Sequence, residues 1–264
     1  MNIILCVPTG TFLDTAAVLE FIYPFINFPI SGIRTSISYA DGSDLFEYEK
    51  AISLLKKNGD PSLMLIDELT EGEENNRFVY KKESSKFTDC FNFSISQREN
   101  IQLDELVASL VKYDLTTAFI YDFSKAKWQS EEFISNYEYH KKPHDHLKKI
   151  FYPNQPPILR TRIDVFHNPG HKTLTYTMCL MAAPEMWFGP GSLRYFDKQR
   201  LLSFPDAKKI QQLPDGVIHM ELFDWETPDY EAEKILNLQR RFRDWVKMDE
   251  IELLLNEVIK AKTK

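Results

Sequence analysis

MWFGPGSLRYF (residues 186–196), LLSFPDAKKI (201–210) and DGVIHMELFDWETPDYEAEKILNLQRRFRDWVKMDE (215–250) lie in the stretch of the chain that decides the fold. This stretch holds three of the four tryptophans, Trp187, Trp225 and Trp245, beside Gly-Pro-Gly and Asp-Gly turns. It lacks the spacing of a nucleophile with its base, of a set of metal ligands or of a phosphate-binding loop. The stretch therefore contains many signals for turns and core packing, and few residues in catalytic or ligand-binding patterns.

The chain on either side of this stretch alternates short strands with amphipathic helices. Apolar runs at 2–7, 63–66 and 117–121 predict strands, and helical spacing over 103–111 predicts a helix. Two helices are expected at the C-terminus, the first capped by Thr227 with Pro228 at its first position. We therefore predict an α+β fold, with a mixed or antiparallel sheet packed against helices and a helical C-terminus.

Composition changes between residues 143 and 157, where four prolines occur. Proline removes backbone donors and favours extended chain, which is typical of a connector. We predict an acidic α/β part over 1–142, a proline-rich connector over 143–157 and an α+β part over 158–264. A single continuous domain is the alternative, because 264 residues also fit one large domain.

The net charge of the chain is −7, and residues 1–150 carry all of it, with 16 Lys and Arg against 23 Asp and Glu. Such a surface repels phosphate and attracts basic partners, so we expect no direct nucleic-acid binding. Three widely spaced cysteines predict buried free thiols in a reducing compartment. No apolar run is long enough to span a membrane, and the start does not have the features of a signal peptide. We expect a cytoplasmic protein.

Carboxylates are concentrated in two places. One lies in a loop, and the other alternates with an aromatic ring, a pattern that suits a surface for binding a basic protein. The alternative for the second cluster is a helix start with a core tryptophan. The candidate partner-binding residues are Asp224, Trp225, Glu226, Asp229, Glu71, Glu73 and Glu74.

Five of the six histidines fall between positions 140 and 171. Four of them, His144, His146, His167 and His171, are candidate ligands of a metal-dependent hydrolase, because imidazoles from two turns can converge on one ion. Solvated histidines and turn geometry are the simpler explanation, since the H-E-x-x-H spacing is absent. No glycine-rich cofactor motif is present either, so we expect neither cofactor nor resident metal.

The C-terminal third, in the order WFGPGSLRYF, KQRLLSFPDAKKI, LPDGVIHMELFDWETPDY and LQRRFRDWVKMDEIE, resembles bacterial immunity proteins that accompany secreted polymorphic toxins. The resemblance implies a non-enzymatic protein that binds and blocks a cognate toxin, for which a basic toxin is a suitable partner. A metal-dependent hydrolase and a non-enzymatic intracellular scaffold or regulator are the competing hypotheses.

Overall fold

Strand β1 (Asn2–Val7) lies at the centre of a nine-stranded sheet in the computed structural model, which describes residues 1–35, 46–59, 61–67, 76–81 and 88–262. The further strands are β2 (Gly32–Arg34), β3 (Ser62–Ile66), β4 (Arg77–Lys81), β5 (Asp89–Ser94), β6 (Thr117–Tyr121), β7 (Lys149–Phe151), β8 (Thr161–Ile163), β9 (Thr173–Leu174), β10 (Cys179–Leu180), β11 (Glu185–Phe188), β12 (Lys209–Gln212) and β13 (Ile218–Glu221). The helices are α1 (Thr15–Ile22), α2 (Tyr48–Asn58), α3 (Leu103–Val111), α4 (Phe123–Ala126), α5 (Ile134–Tyr139), α6 (Lys198–Leu202), α7 (Glu233–Val246) and α8 (Met248–Lys262).

The sheet is antiparallel throughout, in the order β12-β13-β11-β6-β1-β5-β4-β3-β2. With two helices at the C-terminus, this confirms the predicted α+β class. Strands from both predicted parts share the sheet, since β11 pairs with β6. The proline-rich segment 143–157 contributes β7, which pairs with β8 in a separate hairpin.

Alternation along the strands separates two cores on opposite faces of the sheet. On β1, Ile3 and Leu5 point into a first core that α1, α2 and α3 cover. Ile4 and Cys6 point into a second core, which α6, α7 and α8 cover. Every residue of β1 from Ile3 onward is thus buried, as expected for a central strand with helices on both faces.

The three thiols of Cys6, Cys90 and Cys179 are free and buried, as the sequence predicts. Cys6 and Cys90 face each other across β1 and β5, with their sulfur atoms 3.3 Å apart. Burial raises the pKa of the Cys6 thiol well above its ordinary value. Among the described residues, no helix combines the length and the apolar composition needed to cross a bilayer.

The predicted start of the first C-terminal helix is wrong. Thr227 and Pro228 lie in a turn, and α7 begins only at Glu233 after Ala232. Burial of Tyr230 explains the delay, since its hydroxyl donates to the Trp225 carbonyl at 2.6 Å and holds the chain in a turn.

Not every large apolar residue of α7 faces the core. Ile235 and Phe242 are buried, whereas Trp245 lies at the surface with its indole N–H bonded to the Arg200 carbonyl. The ring therefore covers the junction of α6 and α7 instead of filling the core.

A buried ionic network joins the two C-terminal helices to the loop before β9. The Arg243 guanidinium, which has no exposed surface, donates to Glu252 at 2.8 Å and also bonds Asp249. Glu252 in turn contacts the His171 ring at 2.9 Å and accepts a bond from Thr173. Since buried charges are tolerated only when paired, this network fixes how α7 and α8 pack.

Substitution Glu252→Gln is expected to lower the free energy of unfolding by about 3 kcal/mol at pH 7, because it leaves the buried Arg243 poorly compensated. Urea denaturation measures this loss. The matched control is Glu250→Gln, which removes an exposed pair with Lys247 and is expected to cost less than about 1 kcal/mol. Equal losses in the two variants would contradict the role of the network.

The same variant is expected to change the pH dependence of stability. Burial by itself raises the pKa of Glu252, but the His171 and Arg243 contacts outweigh it and the pKa is lowered. A lowered folded-state pKa gives stability that is present above the unfolded pKa of about 4.3 and is lost as the pH falls through the folded value. The difference between wild type and Glu252→Gln should therefore shrink below about pH 4, and a constant difference in acid denaturation would oppose this assignment.

Candidate functional site

An open cleft of about 650 Å³ lies at one end of the sheet, where β1 begins and β5 ends. It opens on the face that α7 and α8 cover only in part. Asn92, Val79 and Met64, which follow one another across β5, β4 and β3 on this face, remain half-buried. Because the helices cover this face of the sheet only in part, a cleft remains beside the second core.

Two arginines bring guanidinium groups to the cleft. Arg34 on β2 and Arg77 on β4 line it. Asn2, Ser94 and Arg77 are neighbours across β1, β5 and β4. The Asn2 amide donates to the Ser94 hydroxyl at 2.9 Å, and Arg77 approaches the same oxygen at 3.5 Å. The cleft therefore presents guanidinium, hydroxyl and amide groups suited to an anionic group of a ligand.

The first turn of α4 forms one wall. Asp122 accepts bonds from the backbone N–H groups of Ser124 and Lys125 at 2.9 and 3.3 Å, and the Phe123 N–H donates to Asn2. Burial raises the pKa of the Asp122 carboxyl, but the bond from the Ser124 hydroxyl at 2.6 Å and the backbone N–H and ammonium of Lys125 outweigh it and hold the pKa below its ordinary value. The wall therefore carries an ionised carboxylate that is paired with Lys125 at 3.3 Å.

Trp225 lines the mouth of the cleft, with its ring half-buried against the first core. The buried Tyr230 holds it there, since the Tyr230 hydroxyl donates to the Trp225 carbonyl and accepts a bond from the Asp122 N–H at 3.3 Å. Burial raises the pKa of Tyr230, which keeps the hydroxyl protonated as a donor. One buried phenol thus fixes the position of Trp225 relative to the wall.

The three predicted carboxylates of this region are exposed and surround Trp225 in the chain. Asp224 forms an ion pair with Lys208 and keeps 68% of its side chain exposed. Glu226 is exposed, and Asp229 is exposed while it accepts the Glu231 backbone N–H at 2.8 Å. We call these three carboxylates and Trp225 the acidic rim.

The second predicted acidic group, Glu71, Glu73 and Glu74, lies outside the described residues. The residues that flank this segment are ordered against each other, since the Asp67 N–H donates to the Asn76 carbonyl at 2.9 Å. Ile66 and Arg77, which come just before and just after this pair, both line the cleft.

The four candidate histidines do not share a site in the described residues. His171 is buried in the network with Glu252, and His167 lies at the surface between Asp164 and Lys148. His146 is exposed, and His144 packs edge-on against Tyr137 at 5.9 Å. The His167 and His171 rings both contact Phe166, with centroids 5.8 and 5.9 Å away, but their polar partners differ, and neither ring shares a described contact with His144 or His146.

A carboxylate and imidazole cluster that the sequence analysis missed lies on β11 and β13. Glu185, His219 and Glu221 place one ligand atom each within 4.8 Å of one another. Arg98 already donates to both oxygens of Glu185, at 3.0 and 3.1 Å, and Lys209 pairs with Glu221. A divalent cation would have to displace a guanidinium, so the cluster is neutralised by the chain itself.

The electrostatics of this cluster are those of an ion pair network. Burial raises the pKa of Glu185, but the bonds from His219 and Arg98 prevail and lower it. Trp187 stacks on the His219 ring, with centroids 4.6 Å apart. The signal in the sequence was a polar pair two positions apart, His219 and Glu221, in an otherwise apolar strand.

Comparison with family models, curated proteins and solved structures finds no match for this chain. The geometry of the cleft and its acidic rim is therefore the basis for a functional proposal.

Protein purified without an affinity tag is expected to hold less than one equivalent of any transition metal. The reason is that the four candidate histidines do not share a site among the described residues and that the Arg98 guanidinium already donates hydrogen bonds to the Glu185 carboxylate. Elemental analysis of the dialysed protein measures the content. One full equivalent, lost on Glu185→Gln or on His171→Asn, would contradict this expectation and revive the hydrolase hypothesis.

Proposed function

We propose that this chain is an immunity-type protein that binds a cognate bacterial toxin in the cytoplasm and inhibits it by surface complementarity, without catalysis of its own. One observation carries the proposal: Trp225 is held at the mouth of an open cleft with exposed carboxylates on both sides of it in the chain. The resemblance of the C-terminal third to immunity proteins supports the same role.

The acidic rim has the chemistry of a protein-binding surface. An aromatic ring that is partly exposed supplies most of the energy of a contact when a partner covers it, and surrounding charges add specificity and speed. Asp224, Glu226 and Asp229 supply these charges. A toxin with lysines or arginines around its active site fits the acidic rim.

Preorganisation also favours binding at this place. Ordering a loop on association costs free energy, and a loop that is already fixed avoids that cost. Tyr230 fixes the Trp225 backbone through a hydrogen bond inside the protein. The Arg77 guanidinium within the cleft can then donate hydrogen bonds to an acidic group of the same partner.

The protein encoded directly upstream of this chain is the probe for the proposal. We expect it to be toxic when produced alone in a bacterial host and harmless when this chain is co-produced. Failure of the two purified proteins to bind would overturn the toxin assignment. Capture of a non-toxic partner by the same surface would instead favour the scaffold hypothesis.

Charge reversal of the acidic rim, Asp224→Lys with Glu226→Lys and Asp229→Lys, is expected to abolish protection and to weaken binding at least about 100-fold. Like charges placed across a contact cost several kcal/mol, which corresponds to this factor. The control carries the same charge change at exposed positions away from the cleft, Asp215→Lys with Asp244→Lys and Glu257→Lys. Full protection by the rim variant would rule out this surface.

Trp225→Ala is expected to weaken binding about 30-fold, which is the effect of losing an interface anchor worth about 2 kcal/mol. Tyr230→Phe keeps the ring and removes the hydroxyl that fixes Trp225, so we expect a smaller loss, seen mainly as faster dissociation. Surface plasmon resonance on the purified pair measures both. Unchanged kinetics in Trp225→Ala would show that the indole lies outside the contact.

A further inference from the structure

Residues 139–163 form a hairpin arm that lies apart from the two main cores. Its strands β7 and β8 make a two-stranded sheet of their own. Ile163 anchors the arm in a small third core with Trp128 and Tyr137. All residues from 151 to 158 are exposed, so the arm offers its whole outer end to solvent.

The charge of the arm is opposite to that of the rest of the chain. Residues 139–163 carry 6 Lys and Arg against 1 Asp, which gives +5. The remainder, which we call the acidic body, carries 26 Lys and Arg against 38 Asp and Glu, which gives −12. This separation of charge within one chain favours attraction between the arm of one molecule and the acidic body of another.

Several cations of the arm already contact carboxylates. Lys142, Lys148 and Arg162 pair with Glu231, Asp164 and Glu132 of the acidic body, which hold the base of the arm in place.

Two further cations of the arm, Lys149 and Arg160, lie exposed, one on each side of its turn. Lys149 is 3.8 Å from Asp145, whose side chain is 99% exposed, and Arg160 bonds only a backbone carbonyl among the contacts given by the structure. The outer end of the arm therefore keeps a positive charge.

Apolar side chains are unusually exposed on the same arm. The exposed fractions of Tyr139, Phe151 and Ile158 are 82%, 63% and 76%. Single exposed apolar residues are normal on a protein surface, whereas a concentration of them on one element marks a contact.

One part of this surface is held rigid. The Arg162 guanidinium lies between two rings, 5.1 Å from the centroid of Phe133 and 5.3 Å from that of Tyr152. Cation–π contacts of this kind fix the side chains before any partner arrives.

We propose that the arm docks on the acidic body of a second copy of this chain, in a two-fold symmetric dimer. The complementary surface is present in the protein itself, because the acidic body has a charge of −12 while the arm has +5. In a two-fold dimer each arm meets the other body, so the contact forms twice. The inference does not depend on the proposed toxin binding, which uses the cleft and the acidic rim.

Sedimentation velocity of the full chain tests this proposal at about 0.1 M and about 1 M salt, between which the Debye length falls from about 10 Å to about 3 Å. We expect a dimer of twice 31.0 kDa at low salt and monomer at high salt. Lys149→Glu with Arg160→Glu is expected to be monomeric at both. Phe151→Ser with Ile158→Ser, which leaves the charge intact, is expected to be monomeric as well.

The control Lys198→Glu with Lys234→Glu changes the charge equally at exposed positions outside the arm and should remain dimeric. Circular dichroism shows that each variant is folded. In the wild type, zero-length cross-links should join Lys149 of one isotopically labelled copy to carboxylates of an unlabelled copy. A wild type that is monomeric at low salt, a control that dissociates with the arm variants, or binding of the monomer's arm to single-stranded DNA or polyglutamate instead would overturn the proposal.

Discussion

Incomplete cover of one face of the sheet is the constraint on which the rest of this structure depends. The first face is packed against α1, α2 and α3, and the second is closed by α7 and α8 only over part of its width. The buried pair of Arg243 and Glu252 fixes where those two helices end up. The chain between β13 and α7 places Trp225 where it packs against the first core and also lines the cleft. Packing of the C-terminal helices therefore leaves open the face on which the cleft lies.

The fold class was predictable because hydrophobic periodicity records it directly. Ile3 and Leu5 alternate with Ile4 and Cys6 on a strand that is buried on both sides, and the helices show their apolar stripes in the same way. The start of α7 was not predictable, since Thr227 and Pro228 have the right residue types for a helix start. Burial of Tyr230, a tertiary effect, overrides that local preference.

The candidate site shows the same division between local and tertiary information. Asp224, Trp225, Glu226 and Asp229 are neighbours in the chain, so their pattern was visible without a structure. Arg34 and Arg77 come together only through strand pairing across β2, β3 and β4, which no short motif encodes. The positive charge of the arm was not predicted for a different reason. Counting charges separately over residues 1–150 and 151–264 divides the arm between two totals, so its net charge of +5 is not visible in either.

Hydrogen exchange of this protein, free and in complex with the product of the upstream gene, tests the central claim most directly. Backbone N–H groups in surface turns exchange quickly unless a partner covers them, so protection on binding maps the contact. We expect slowed exchange over residues 122–125 and 224–231, with little change on the exposed side of α8. Protection confined to α8 or to α2, with the turn around Trp225 exchanging as fast as in the free protein, would contradict it.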